Sequence, residues 1–126
     1  MPCKVEYDAE GGFMRGSAEG ALDVQAIDAF VHEIVAALKE HRCYLLLNDF
    51  RNVTLAISTL EIYHLPARVA ELLAAEGLNV YNLKRALVAA SDMDDYRFFE
   101  NVSVNHMQKV KVFRDIDQAR AWLLEK

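Results

Sequence analysis

Tyr44-Leu45-Leu46-Leu47-Asn48-Asp49-Phe50-Arg51-Asn52-Val53-Thr54 is the stretch on which the fold turns. Tyr44 to Leu47 is a short unbroken apolar run, the pattern of a strand covered on both faces, and such strands belong to parallel sheets flanked by helices. The polar residues that follow predict that the chain leaves the core after Leu47. Asp49, Arg51, Asn52 and Thr54 are therefore expected just beyond the carboxyl end of a central strand, the edge where open α/β sheets form ligand crevices. That makes them candidate binding residues. A salt bridge between Asp49 and Arg51 that fixes the loop explains the pair equally well.

Upstream, Val24, Ile27, Val31, Ile34, Val35 and Leu38 recur at helical spacing behind Asp23, a side chain suited to capping a helix. Gln25, Asp28, His32, Glu33 and Lys39 occupy the opposite side, so one face of this helix should lie on a core and the other in water. Its short connection to Tyr44 implies a parallel crossover. Before it, residues 4–7 and 13–17 read as two strands around Asp8-Ala9-Glu10-Gly11-Gly12, whose glycines supply the positive φ of a tight reversal.

Downstream, a second helix is expected over 58–76 with Gly77 as its stop, kinked or restarted at Pro66. A buried strand over 84–90, a helix over 94–106, a strand over 110–113 and a closing helix over 116–124 complete the chain. Asp115 caps that last helix, in which Ile116, Ala119, Trp122 and Leu123 share a face, and Trp122 reads as core. This alternation predicts an α/β fold: a mixed, mainly parallel sheet with an N-terminal antiparallel hairpin, covering helices and right-handed crossovers. The length predicts a single domain over residues 1–126.

The formal charge of −5 and pI near 5.3 disfavour nucleic acid and anionic membranes as partners, because both demand a concentrated basic surface. No apolar run is long enough to span a bilayer, and the first residues lack a basic region followed by an apolar one, so a soluble cytoplasmic protein is expected. Cys3 and Cys43 stand far apart and outside any Cys-x-x-Cys pattern; both read as buried thiols rather than a disulfide or zinc site. Asn52-Val53-Thr54 and Asn101-Val102-Ser103 match the glycosylation pattern by chance.

The signals for catalysis are weak. His32-Glu33 begins like a zinc-protease helix, but Ala36 stands where the second histidine must be. Asp92, Asp94 and Asp95 lack the spaced ligands of a calcium loop and read as carboxylates favouring the start of the third helix. His41, His64 and His106 have no ligand-spaced companions. There is no Gly-rich phosphate loop, nucleophile elbow or redox pair, so no catalytic residue, metal or cofactor is assigned and the chain is not expected to be an enzyme.

Ser58-Thr59-Leu60-Glu61 fits a capping box, with Ile57 and Ile62 at the hydrophobic-staple positions. A helix cap, worth about 1 kcal/mol, accounts for Ser58. A phosphoacceptor or partner-contact role is compatible with it, since a phosphate at a helix N-terminus meets free amides and the positive end of the dipole.

The order hairpin, helix, strand, helix, strand, helix, strand, helix resembles the SpoIIAA-like proteins, bacterial domains related to STAS anti-anti-sigma factors and, more distantly, to CRAL-TRIO lipid-carrying domains. The resemblance covers nearly the whole chain and rests on the stretch from Leu45 to Thr54, on Asp95-Tyr96-Arg97-Phe98-Phe99-Glu100, and on the run from Val112 to Leu123. In STAS domains the helix after the central strand begins Asp-Ser-Ser-Gly, and its first Ser is phosphorylated by a partner kinase. The matching residues here are Ile57-Ser58-Thr59-Leu60. Ser58 keeps the hydroxyl, while Ile57 replaces the Asp and Leu60 the Gly, so the resemblance leaves the phospho-switch open.

The resemblance implies a non-catalytic regulatory domain that meets a kinase, an anti-sigma factor or another regulatory protein through Ser58, Thr59 and the adjoining loop. The alternative it implies is a carrier of a small apolar or lipid-like ligand, with Tyr63, Leu65, Val69, Leu72, Leu73, Phe98 and Phe99 lining a pocket. At helical spacing these residues also read as plain core. A homodimer through a free strand edge or an apolar helix face is left open.

Overall fold

The structure is a computed structural model and describes residues 3–125. β1 (Cys3–Asp8) and β2 (Phe13–Leu22) form the antiparallel hairpin, with Asp8 opposite Phe13. Asp8 organises the turn: its carboxylate accepts from the Gly11 amide at 2.9 Å and its carbonyl from the Gly12 amide at 2.7 Å. Gly12 supplies the left-handed φ of 73° that closes the reversal.

α1 (Val24–His41) starts at Asp23, whose carboxylate accepts from the Ala26 amide at 2.8 Å. It buries Phe30, Ile34, Val35 and Leu38 as its periodicity requires. Gly16 lets it approach the sheet, because a Cβ there would stand 3.0 Å from the tip of the Phe30 ring.

The next strand departs from expectation. β3 (Leu45–Leu55) does not end near Leu47 but continues through Asn48, Asp49, Arg51, Asn52 and Thr54. The reason is its partner. β2 also runs on, to Leu22, and after a register shift between Ser17 and Glu19 the two pair in parallel from Glu19 opposite Asn52 to Leu22 opposite Leu55. Ladder hydrogen bonds thus hold a polar segment extended where side-chain hydrophobicity alone gives no reason for a strand.

α2 (Thr59–Ala75) is one continuous helix through Pro66, without the expected restart. Proline fits helical φ, and its cost here is the single amide that the Ile62 carbonyl would have received. After a 3-10 turn (Val80–Asn82) come β4 (Lys84–Ala89), α3 (Met93–Asn105), β5 (Lys109–Phe113) and α4 (Ile116–Leu123). Asp115 caps α4 as expected, accepting from the Asp117 and Gln118 amides.

The sheet has the order β1-β2-β3-β4-β5, with every pair after the hairpin parallel. Because spatial order follows chain order, α1, α2 and α3 are crossovers that stack on one face. Their core residues pack with Met14, Leu46, Leu87 and Val110. α4 covers the other face, where Ala119 and Leu123 meet Phe13, Leu47, Ala86 and Val88. Trp122 packs at the edge of that layer, 5.8 Å from the Phe113 ring.

Candidate interaction site

A sheet whose order never reverses has no topological switch point, and so lacks the crevice that doubly wound folds open at their strand ends. The residues expected to share such a rim are instead strung along β3. Six strand steps separate Asp49 from Leu55, about 20 Å, and Ser58 and Thr59 lie beyond them. The structure therefore separates the candidates into two places.

The first place surrounds Asp49. Its carboxylate takes both arms of Arg51, Nε at 2.9 Å and a terminal nitrogen at 2.8 Å, and the Arg15 guanidinium at 3.3 Å. The Arg51 hydrogen bond, helped by charge and by Arg15, holds the Asp49 carboxyl below its usual value against the opposing effect of burial. Asp49 and Arg51 thus form the fixing salt bridge. Asp49 and Asn52 also border a shallow hollow with Lys4, Ser17 and Glu19. Asn52 and Thr54 are exposed on the strand, opposite Glu19 and Ala21.

The second place is the start of α2. Ser58 Oγ accepts from the Glu61 amide at 3.1 Å, and the Ser58 amide donates to Glu61 Oε1 at 2.8 Å, completing the capping box. Ser58 and Thr59 are both exposed. Beside them two large apolar side chains face solvent, Leu60 at 66% and Tyr63 at 52% exposure. Tyr63 therefore lines no interior pocket. The segment before Ser58 is anchored, since the Leu55 amide donates to the Asp92 carboxylate at 3.1 Å. All three carboxylates stand at the start of α3 as expected: Asp92 is the residue before its first turn, with a left-handed φ of 55° and no side-chain hydrogen bond to the helix, and Asp94 and Asp95 lie in that turn.

Among the described residues no group of metal-ligating side chains is assembled. His41 stacks on Tyr7 with ring centroids 4.4 Å apart, and His32 Nδ1 lies 2.7 Å from the Asp28 carbonyl. Cys43 is buried as expected, whereas Cys3 is only half-buried. No described helix is long and apolar enough to cross a membrane.

The sequence reading missed a group of polar residues inside. Asn48, Arg85, Ser103 and Gln108 are buried, and Tyr96 is buried with them. Arg85 donates to Gln108 Oε1, and Gln108 Nε2 donates to the Pro66 carbonyl at 2.9 Å. Arg85 stands in the apolar run of β4, and a charge at a core-facing strand position was the available signal.

The hairpin-led, mainly parallel five-stranded sheet with three helices on one face and a closing helix on the other is the SpoIIAA-like fold. The chain is similar over 98% of its length to 94% of an anti-sigma factor antagonist from Mycobacterium paratuberculosis, with TM-score 0.62 and 15% identity. An uncharacterized protein with a SpoIIAA-like fold from Shewanella loihica matches 97% of this chain over 92% of its own, with TM-score 0.58 and 16% identity. The Bacillus cell fate determinant SpoIIAA in its phosphorylated form matches 93% of this chain over 96% of its own, with TM-score 0.54 and 13% identity. At these identities the shared property is the fold. No family model matches the chain, and no curated protein is significantly similar to it.

Proposed function

We propose that this chain is a regulatory protein-binding domain of the anti-sigma factor antagonist kind, working without catalysis, in the cytoplasm, through the start of α2. The observation that carries the reading is the pairing at one helix end of an exposed, capped hydroxyl with exposed Leu60 and Tyr63. Large apolar side chains held out on a rigid element are the usual anchors of a protein interface. The kind of partner that fits is a kinase or an anti-sigma-like protein, and neighbours of this fold include anti-sigma factor antagonists, one in phosphorylated form.

The capping box supplies the switch. Phosphate on Ser58 places about two negative charges beside the Glu61 carboxylate, which lies at 2.8 Å from the Ser58 amide. Glu61 is repelled while the phosphate takes over the free helix amides, so the first turn, including Leu60, rearranges. Partner affinity then depends on the modification, with Thr59 beside it and the strand residues Asn52 and Thr54 forming the flank.

The test is photo-crosslinking in the source cells from positions 60 and 63, with Arg97 and Lys111 as control positions, followed by mass spectrometry. One protein cross-linked from 60 and 63 but not from the controls is the expected result, lost in Ser58→Glu and kept in Ser58→Ala. Cross-linking no stronger than at the controls overturns the reading.

A further inference from the structure

Between the α1–α2 layer and the sheet lies a cavity of about 100 Å³. Its wall is mostly apolar, with Leu22, Phe30, Ile34, Leu46 and Val69 among its residues. Besides the half-buried Asp95 on α3, three buried polar side chains from three elements line it: Asn48 on β3, Arg85 on β4 and Tyr96 on α3. They are 6%, 6% and 2% exposed. Among the described residues Asn48 Oδ1, Arg85 Nε and the Tyr96 hydroxyl have no hydrogen-bond partner.

Asn48 and Arg85 come from adjacent strands, Asn48 opposite Leu87 and Arg85 opposite Leu46, so the two side chains stand diagonally on the same face. Buried polar atoms are almost always paired, and a buried charge is normally met by its opposite. What surrounds Arg85 is neutral: the Gln108 oxygen that it donates to, and the Phe99 ring 5.8 Å away. Burial lowers its pKa to about 10, with no acid acting against that, so the guanidinium remains charged at neutral pH. Asp95, the acid on the lining, bears instead on Tyr96, whose pKa burial and the Asp92 and Asp95 charges push up.

The geometry points to a binding site for a small amphiphilic anion, whose carboxylate or similar oxyanion pairs with Arg85 and accepts from the Tyr96 hydroxyl while its hydrocarbon body lies against Phe30, Ile34 and Leu46. The Asn48 amide presents an acceptor or, rotated, a donor to the same head group. Size sets the class. At about 100 Å³ the cavity is smaller than the one of about 150 Å³ that admits benzene, so its enclosed part takes a head group and a few carbons, and the end of a longer chain extends through the mouth. The half-buried lining residues Ile27, Val31, Leu55, Ile57 and Leu65 mark its mouth, beside the start of α2.

The test is calorimetric titration of the purified protein with hexanoate, hexanol and hexylamine, with amide chemical-shift mapping to locate binding. Hexanoate should bind at least about tenfold more tightly than hexanol, because the charge-assisted pair is lost in the alcohol, and hexylamine should not bind. Arg85→Met should bring hexanoate down to the level of hexanol. Tyr96→Phe, which keeps the ring, should weaken hexanoate about fivefold and leave hexanol unchanged. Equal affinity for acid and alcohol, no binding of any of the three, or shifts confined to the outer surface overturns the site. If Arg85→Met does not fold, Tyr96→Phe decides, and an unchanged acid preference there overturns it. The cavity does not depend on Ser58, so either result leaves the cross-linking outcome intact.

Discussion

On the α4 side of the sheet, Phe13, Leu47, Ala86 and Val88 meet Ala119 and Leu123, and these residues are all buried apolar groups. On the other side, three helices cover a larger apolar area, yet a space of about 100 Å³ remains, and the side chains of Asn48, Arg85 and Tyr96 line it with polar atoms left unpaired. Both faces belong to the same strands: Leu46 and Asn48 point one way, Leu47 the other. The difference is therefore in what covers the sheet. A single short helix closes over a wholly apolar surface, whereas α1 and α2 bridge over a sheet surface that carries a charge. A face built for stability alone has no use for an uncompensated guanidinium, and this contrast is what separates a packed core from a site.

The largest effect expected from that contrast is a difference in tolerance to added volume. Ala86 is fully buried against α4, so Ala86→Val forces atoms into a filled layer and should cost about 2 kcal/mol. For a chain of this size that is a fall in melting temperature of about 8 °C. Val69 lines the cavity, so Val69→Leu extends into open space and should stay within about 1 kcal/mol of neutral. Thermal and urea unfolding of the two variants compare the faces directly. Equal losses would mean that both faces are packed alike.

A smaller effect sharpens the comparison at the cavity mouth. Ser58→Ala removes one acceptor of the capping box and should cost about 1 kcal/mol, with Ser58→Asp recovering most of it. Hydrogen exchange should quicken in the first turn of α2 and leave the α4 amides unchanged. Faster exchange in α4 would show that the two sides unfold as one unit even in small fluctuations.

How much of this was legible depends on how local the determining interactions are. The caps at Asp23, Ser58 and Asp115 join residues three apart, so the sequence discloses them. α1 is equally plain, since its apolar period is carried by its own residues. The length of β3 is set by β2, whose pairing from Glu19 to Leu22 keeps Asn52 and Thr54 extended, and no pattern within β3 reports a partner so distant in the chain. Pro66 misleads in the same way: its local preference is overridden by a helix packed along its length and by Gln108, which binds the Pro66 carbonyl. Arg85 was visible as a charge in an apolar run, but only the register shows that it turns toward α1–α3 rather than α4. That the sheet opens no switch-point crevice beside Asp49 was hidden for a topological reason, because strand order is not a property of any one segment.

The smallest effect concerns the charged edge of the α4 side. Asp49 follows Leu47 by two residues and so shares its face, where Arg51 and Arg15 hold its carboxylate. In the folded protein its carboxyl lies below the ordinary aspartate value, chiefly because of the Arg51 hydrogen bond. A depressed carboxyl contributes stability that is fully present above the unfolded value, about 3.9, and lost as pH falls through the lower folded value. Both arginines are substantially exposed, so screening keeps the contribution below about 1 kcal/mol. Asp49→Asn should therefore unfold slightly more easily than the parent at pH 7, with the gap closing as pH falls below the unfolded value of about 3.9 and through the lower folded one, and shrinking in molar salt. A gap that persisted in acid would mean that the substituted amide disturbs the β2–β3 ladder itself, and the edge would then be part of the packed face rather than a charged fringe upon it.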